Sequence, residues 1–138
     1  MDKLRITPEL ITSLQPHEVF VFGSNEAGRH SKGAALTAVQ WGARKSVPAG
    51  RAGQTYAIPT KPANVRLRLD LRDISRYVDD FRRHAEQGQM THFLVTEIGC
   101  GLAGYQPSDI APLFAGCRTL SNVALPVRFW RVLGEPTP

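Results

Sequence analysis

Val19-Phe20-Val21-Phe22-Gly23-Ser24-Asn25 is an unbroken apolar, β-rich run that stops at a Gly-Ser-Asn turn. A strand that is apolar at successive residues has both faces covered, the condition of a central strand in a sheet with helices on either side. Its carboxyl end leads into a polar, glycine-bearing loop, Gly28-Arg29-His30-Ser31-Lys32-Gly33. Residues 34–42 are then rich in helix formers, with Leu36, Val39 and Ala43 at helical spacing. Strand, loop and helix follow one another as the opening unit of an α/β fold.

The unit recurs along the chain. Residues 45–53 read as a loop, after which Thr55-Tyr56-Ala57-Ile58-Pro59 is a second strand ending at Thr60-Lys61. Val65, Leu67, Leu69 and Leu71 alternate with Arg66, Arg68, Asp70 and Arg72, a pattern that fits a short exposed strand or an extended loop. Ile74, Tyr77, Val78, Phe81 and Ala85 mark one face of an amphipathic helix that Gly88 ends. His92-Phe93-Leu94-Val95-Thr96 is a third strand feeding a second glycine loop, Gly99-Cys100-Gly101-Leu102-Ala103-Gly104-Tyr105. Ser108 or Asp109 is expected to cap a helix carrying Ile110, Leu113, Phe114 and Cys117 on one face, with Pro112 in its first turn. Residues 127–133 read as a last strand, and the capping-type start Thr7-Pro8 predicts a brief helix near the amino terminus, with Ile11 and Leu14 as its apolar face. The expectation is one three-layer α/β/α domain over residues 1–134 with a mixed, largely parallel sheet, and a tail at 135–138. Ligand crevices in such folds lie beyond the carboxyl ends of the strands, where both glycine loops would open.

Composition narrows the partners. Of 138 residues, 42% are hydrophobic and 21% charged, the balance of a globular chain with no fibrous or disordered character. Seventeen Lys and Arg against twelve Asp and Glu leave a net charge of +5, which favours anionic partners. No apolar run approaches the ~20 residues that span a bilayer, and Met1-Asp2-Lys3-Leu4-Arg5 lacks the apolar stretch of a signal peptide. A cytoplasmic address without membrane contact is expected. Cys100 and Cys117 are too few and too far apart for a disulfide scaffold, so two reduced thiols are expected. His17, His30, His84 and His92 show no metal-ligand spacing, and neither a metal nor a cofactor is expected.

Glycine lets backbone N–H groups approach an anion closely, and a following helix start adds partial positive charge. Glycines can equally serve only as tight turns, but two such loops at strand ends favour a ligand. Neither loop is a GxxxxGK[ST] or a GxGxxG sequence, which disfavours ATP hydrolysis and hydride transfer.

Three segments, Phe20-Val21-Phe22-Gly23-Ser24-Asn25, His30-Ser31-Lys32-Gly33-Ala34-Ala35 and Ile98-Gly99-Cys100-Gly101-Leu102, resemble the successive ligand segments of macro domains. The likeness spans nearly the whole chain. It is nearest to the terminal ADP-ribose glycohydrolase type, which includes the antitoxin that reverses DNA ADP-ribosylation. Tyr56-Ala57-Ile58-Pro59-Thr60-Lys61 resembles the strand ending in that group's active-site lysine. The chain is also similar to an uncharacterised bacterial and phage group sharing the GSN, IPTK and IGCGLAGY segments. The resemblance implies a macro-like fold in which residues 99–104 wrap the diphosphate of ADP-ribose. Asn25 and the turn at Lys32 and Gly33 would hold its distal ribose, with Gly23, Ser24, His30 and Tyr105 contributing to the site. Lys61 and Asn25 would take the catalytic positions. The acid that works with the lysine in the related hydrolases is replaced by Ala103, and the acid of the other hydrolytic macro class by Ala34 and Ala35.

Other readings of these residues compete. Asn25 is also a common turn residue, Tyr105 a possible cover for its own loop, Glu97 a strand-end charge and Asp109 a helix cap. Cys100 as a nucleophile would need a lowered pKa and a partner histidine that the sequence does not supply. The leading expectation is a binding module for ADP-ribose or a related NAD-derived nucleotide. The alternative is a glycohydrolase acting on ADP-ribosylated nucleic acid or protein with Lys61 as nucleophile. A third reading is nucleic-acid binding through Arg66, Arg68, Arg72, Arg76, Arg82 and Arg83, which lack interleaved aromatics or a DNA-reading motif.

Overall fold

At the centre of the sheet lies β1, Glu18–Asn25, flanked in parallel by β3, Thr55–Lys61, and β4, His92–Val95. The computed structural model describes residues 4–64 and 66–138, so readings at Met1-Asp2-Lys3 and at Val65 lie outside the described residues. β5, Val123–Ala124, pairs in parallel with β4 on one edge, and β2, Gly50–Ala52, pairs antiparallel with β3 on the other. The order is β2-β3-β1-β4-β5. The chain is thus a single α/β domain with a mixed, mostly parallel sheet. Among the described residues no helix is long and apolar enough to cross a membrane.

Both faces of β1 are covered. Val19 and Val21 join Tyr56, Ile58, Phe93 and Val95 in the larger apolar cluster, under α2 (Leu71–Gln87), a 3-10 helix (Ala111–Cys117) and α4 (Val127–Val132). Phe20, Phe22 and Ala57 face the other way, onto Ala35 and Ala38 of α1 (Gly33–Val39). The two-residue alternation of a strand distributes one apolar run between two helical layers. Pairing in register holds to Ser24↔Pro59, then shifts so that Asn25 stands opposite Lys61. Such an irregularity bends a strand end and re-aims its side chains.

Several local expectations are corrected. Residues 127–133 form not a strand but the helix α4, which buries Phe129 and Trp130 against the core. The sheet edge that a last strand would have used is occupied, since Ile6 bridges Leu125 in parallel and Thr7 N–H donates to the Leu125 carbonyl at 2.9 Å. That pairing also explains why residues 7–10 are not helical: their start is held extended beside the sheet. The loop expected at 45–53 contains β2, a short edge strand that returns onto β3 through Gly53 and Gln54. In α1 the buried positions are Ala35 and Ala38, one residue out of step with the expected stripe, and Leu36 and Val39 are exposed. Small side chains let this short helix lie close on the sheet. The alternating arginine run is irregular chain from Arg66 to Asp70, with Leu69 buried and Leu67 exposed and no strand among its described residues, and its end, Leu71 and Arg72, begins α2. Gln106, with Pro107 behind it, is the N-cap of α3 (Pro107–Ile110), and Asp109 accepts from the Gln106 N–H at 2.9 Å. The tail at 135–138 folds back on α4 through Arg131, which donates to the Thr137 hydroxyl and the Pro138 carbonyl.

Candidate functional site

The connections from β1 and from β4 lead to opposite sides of the sheet, which opens a crevice between their carboxyl ends. A cleft of about 720 Å³ lies there, within the range of small-molecule sites. Of the residues expected at a ligand, it is lined by Gly23, Ser24, Asn25, Lys32, Gly33, Lys61, Gly99, Gly101, Leu102 and Ala103. His30, Cys100, Gly104 and Tyr105 are not in its wall.

The first loop is built around Asn25. Its amide donates to the Arg29 carbonyl at 2.8 Å and its carbonyl accepts the Arg29 N–H at 3.0 Å, while its own backbone carbonyl accepts from Gly28. One side chain therefore closes the turn, the role of an Asn that mimics backbone. Gly28 has a φ of +70°, and a Cβ there would collide with the Lys45 carbonyl, so the loop is pinned against residues 44–45. His30 sits behind it with Nε2 3.1 Å from the Arg44 carbonyl and its ring edge-on to Phe22. A carbonyl only accepts, so the ring carries a proton on Nε2; Nδ1 is buried without a partner. Glu26 N–H donates to the Lys61 carbonyl at 2.9 Å, tying the loop to the end of β3. The Glu26 carboxylate is turned away onto the Tyr77 hydroxyl of α2.

The second loop presents its backbone. Cys100 N–H bonds back to Glu97, Gly104 N–H to Gly101 and Tyr105 N–H to Gly99. Among the described residues no acceptor meets the N–H groups of Gly99, Gly101, Leu102 or Ala103, the four residues of this loop that line the cleft. Backbone donors left without protein partners need water or a ligand. Gly99 has a φ of +77°, and a Cβ on it would stand 3.0 Å from Ile110 Cδ1. Gly99→Ala is therefore expected to cost about 1–3 kcal/mol of stability from backbone strain and crowding, read as a lowered midpoint in urea unfolding. An unchanged midpoint would show that the loop relaxes freely.

Tyr105 anchors this loop. Its hydroxyl donates to the buried Leu69 carbonyl at 2.6 Å and the Arg68 guanidinium lies 3.9 Å over its ring, so both its edge and its face are occupied. Cys100 turns its sulfur toward the Ile98 carbonyl at 3.6 Å. Burial first, then the Glu97 carboxylate, pushes its thiol up to about 11. Only the thiolate is nucleophilic, so alkylation by iodoacetamide is expected to stay slow from pH 7 to 9 and to rise only as pH approaches the raised value. Rapid labelling of Cys100 at pH 7 would overturn this.

The acids near the cleft are already engaged. Glu97, the one acid in its wall, takes the Arg128 guanidinium on both oxygens, one at 2.6 Å. Asp109, at the third position of α3, accepts from the N–H of the N-cap Gln106 and lies outside the wall. Ala34, Ala35 and Ala103, the positions at which the resemblance would place an acid, line the cleft. Lys61 lines it too, with no ion-pair partner among the described residues.

A second cavity of about 640 Å³ adjoins the first, sharing Ala34, Thr96 and Glu97. Thr7, Leu10, Ile11, Phe20, Pro126 and Arg128 line it. Thr7 is 5% exposed and its Oγ1 is buried without a partner. No sequence signal marked this cavity, because it brings together the two ends of the chain, which meet through the Ile6↔Leu125 pairing and the contacts of Arg5 with Val123, Arg118 and Trp130. No protein-family model, curated protein or solved structure matches this chain.

Proposed function

We propose that this chain binds ADP-ribose, or a closely related NAD-derived diphosphate nucleotide, as a macro-type module. The observation that carries the reading is that Gly99, Gly101, Leu102 and Ala103, whose N–H groups meet no acceptor among the described residues, line a cleft together with the cationic Arg29, Lys32, Lys61 and Arg66. Backbone donors fixed in this way suit a diphosphate, whose oxygens take several N–H groups at once. The distal ribose would lie toward Asn25, Lys32 and Gly33, and the nucleoside half would extend toward the adjoining cavity, where the Thr7 hydroxyl is free to bond. Titration calorimetry with millimolar ADP-ribose, NAD and ADP tests the reading directly. Heat and a thermal shift with ADP-ribose are expected; no response to any of the three would sink it.

A second reading, removal of ADP-ribose from a modified nucleic acid or protein, is favoured by one observation: Lys61 lines the same cleft and forms no ion pair among the described residues. An amine can attack an anomeric carbon when neutral, but departure of the attached group needs a proton donor. With Glu97 held by Arg128 and alanines at 34, 35 and 103, binding without efficient turnover is the better-supported function.

A further inference from the structure

The cleft and its neighbour meet at three residues, Ala34, Thr96 and Glu97, which line both. Ala34 carries no polar side-chain atom, and Thr96 donates its hydroxyl to the Val21 carbonyl at 2.8 Å. Glu97 alone of the three is charged, and Glu9, the other acid of the second cavity, does not line the first. A carboxylate offers about four lone-pair positions on its two oxygens, and the Arg128 guanidinium takes one on each. Glu97 is thereby held as an ionised acceptor with a position on each oxygen still open. It stands shortly before Gly99, where the row of N–H groups without an acceptor among the described residues begins. In a nucleoside diphosphate the sugar lies between the phosphates and the base. With the diphosphate on residues 99–103 and the nucleoside extending into the second cavity, that sugar would lie at the junction where Glu97 stands. The adjacent hydroxyls of a ribose are donors that one carboxylate can take together.

We propose, resting on the diphosphate reading of the second loop, that Glu97 selects ribonucleotides by accepting from the 2′ and 3′ hydroxyls of the nucleoside sugar, with Arg128 as the positioning residue that fixes the carboxylate. The pair then does more than tie α4 to the end of β4. A deoxy sugar leaves an acceptor of the carboxylate facing the ligand without its donor, and a site built to bond a hydroxyl rejects the analogue that lacks it. A phosphate ester on the same sugar is rejected for a different reason, because it sets a second anion against the first.

The test is calorimetric titration of the full chain with ADP-ribose and with its 2′-deoxy, 3′-deoxy and 2′-phosphate forms on the adenosine sugar. Its hypoxanthine analogue, ADP and 2′-deoxy-ADP complete the set. Removal of either hydroxyl is expected to weaken binding about tenfold or more, the worth of one hydrogen bond to a charged acceptor, and the 2′-phosphate is expected to bind no better than the deoxy forms. In Glu97→Ala the preference for ribose over deoxyribose is expected to vanish. That preference is a ratio read on one protein, so a general loss of stability does not mimic it. Glu97→Gln, which keeps the shape of the side chain and exchanges one acceptor oxygen for a donor, is expected to reduce the ratio as well and serves if the alanine variant does not fold. Arg128→Gln is expected to narrow the ratio and Arg128→Lys to restore part of it; a ratio indifferent to Arg128→Gln overturns the positioning role. Equal affinity for ribose and deoxyribose forms, or a preference that survives Glu97→Ala, overturns the sugar assignment while the ADP-ribose reading stands. Sensitivity to the hypoxanthine analogue alone, removed in Glu97→Ala, overturns it in favour of the base amine. If ADP binds with a Glu97-dependent ribose preference and ADP-ribose does not bind, the sugar assignment holds and the ADP-ribose reading falls. No binding of any probe overturns both.

Discussion

Gly101→Val is expected to abolish measurable ADP-ribose binding while leaving the fold intact. Nothing lies within 4 Å of a Cβ built at Gly101, and its φ is not in the left-handed region, so a side chain there meets open space rather than the core. Gly101 itself lines the cleft. An isopropyl group would displace the ligand from the N–H groups of Gly101, Leu102 and Ala103. Each lost hydrogen bond to a charged oxygen is worth about 1.5–3 kcal/mol, so losing one lowers affinity on the order of tenfold to a hundredfold, and losing two would put binding below detection. Calorimetry on wild type and variant, with urea unfolding of both, separates the effects. Undiminished binding in a folded Gly101→Val variant would place the ligand elsewhere, whereas Gly99→Ala makes a poor substitute because its φ of +77° and the Ile110 contact confound binding with stability.

The second large effect concerns turnover. Release of ADP-ribose from modified DNA or protein is expected to be slow in the wild type and to rise by about 10²–10⁴-fold in Ala103→Asp, the ordinary contribution of a general acid. Ala103 is 9% exposed, belongs to the larger apolar cluster and lines the cleft. A carboxyl placed there would be partly desolvated, which favours its protonated, donating form. Lys61→Ala in that background is expected to return the rate to the wild-type level if the lysine is the nucleophile. Chromatographic release assays on the four proteins, wild type, Lys61→Ala, Ala103→Asp and the double variant, read this out. Rapid release by the wild type that Lys61→Ala removes would replace the binding reading with the hydrolytic one. Activity in Ala103→Asp that is indifferent to Lys61 would give the new acid a different partner.

The Glu97–Arg128 pair gives this expectation a structural basis that the sequence did not. Glu97 stands at the end of β4 and in the wall of both cavities, the position from which a substitute acid could serve. Its two oxygens instead accept from a guanidinium on α4. A carboxylate so held is an acceptor, and its proton-donating role would require breaking the pair.

Local pattern alone determined the central features of this protein. The apolar run at 19–22 specified a strand covered on both faces, because successive apolar residues cannot face water on alternate sides; the structure divides them between two clusters. The stripe Ile74, Val78, Phe81 and Ala85 specified α2, and Gly88 its end, because the helical period puts those side chains on one face. The two glycine loops were legible because strand, loop and helix succeed one another within a few residues, and their carboxyl-end position follows from a parallel sheet. Tertiary structure decided what local pattern could not. β-branched and aromatic residues at 127–133 have strand preferences, yet the edge beyond β5 was already taken by Ile6, and helix α4 is what buries Phe129 and Trp130. The one-residue offset of the buried face of α1 arose from how closely alanines let it approach Phe20 and Phe22. Whether Asn25, Tyr105 and Glu97 were free for a ligand or committed to the chain depended on partners at Arg29, Leu69 and Arg128, the last two more than thirty residues away and placed by folding alone. The adjoining cavity had no sequence signature, since its walls come from both ends of the chain and exist only once those ends pair.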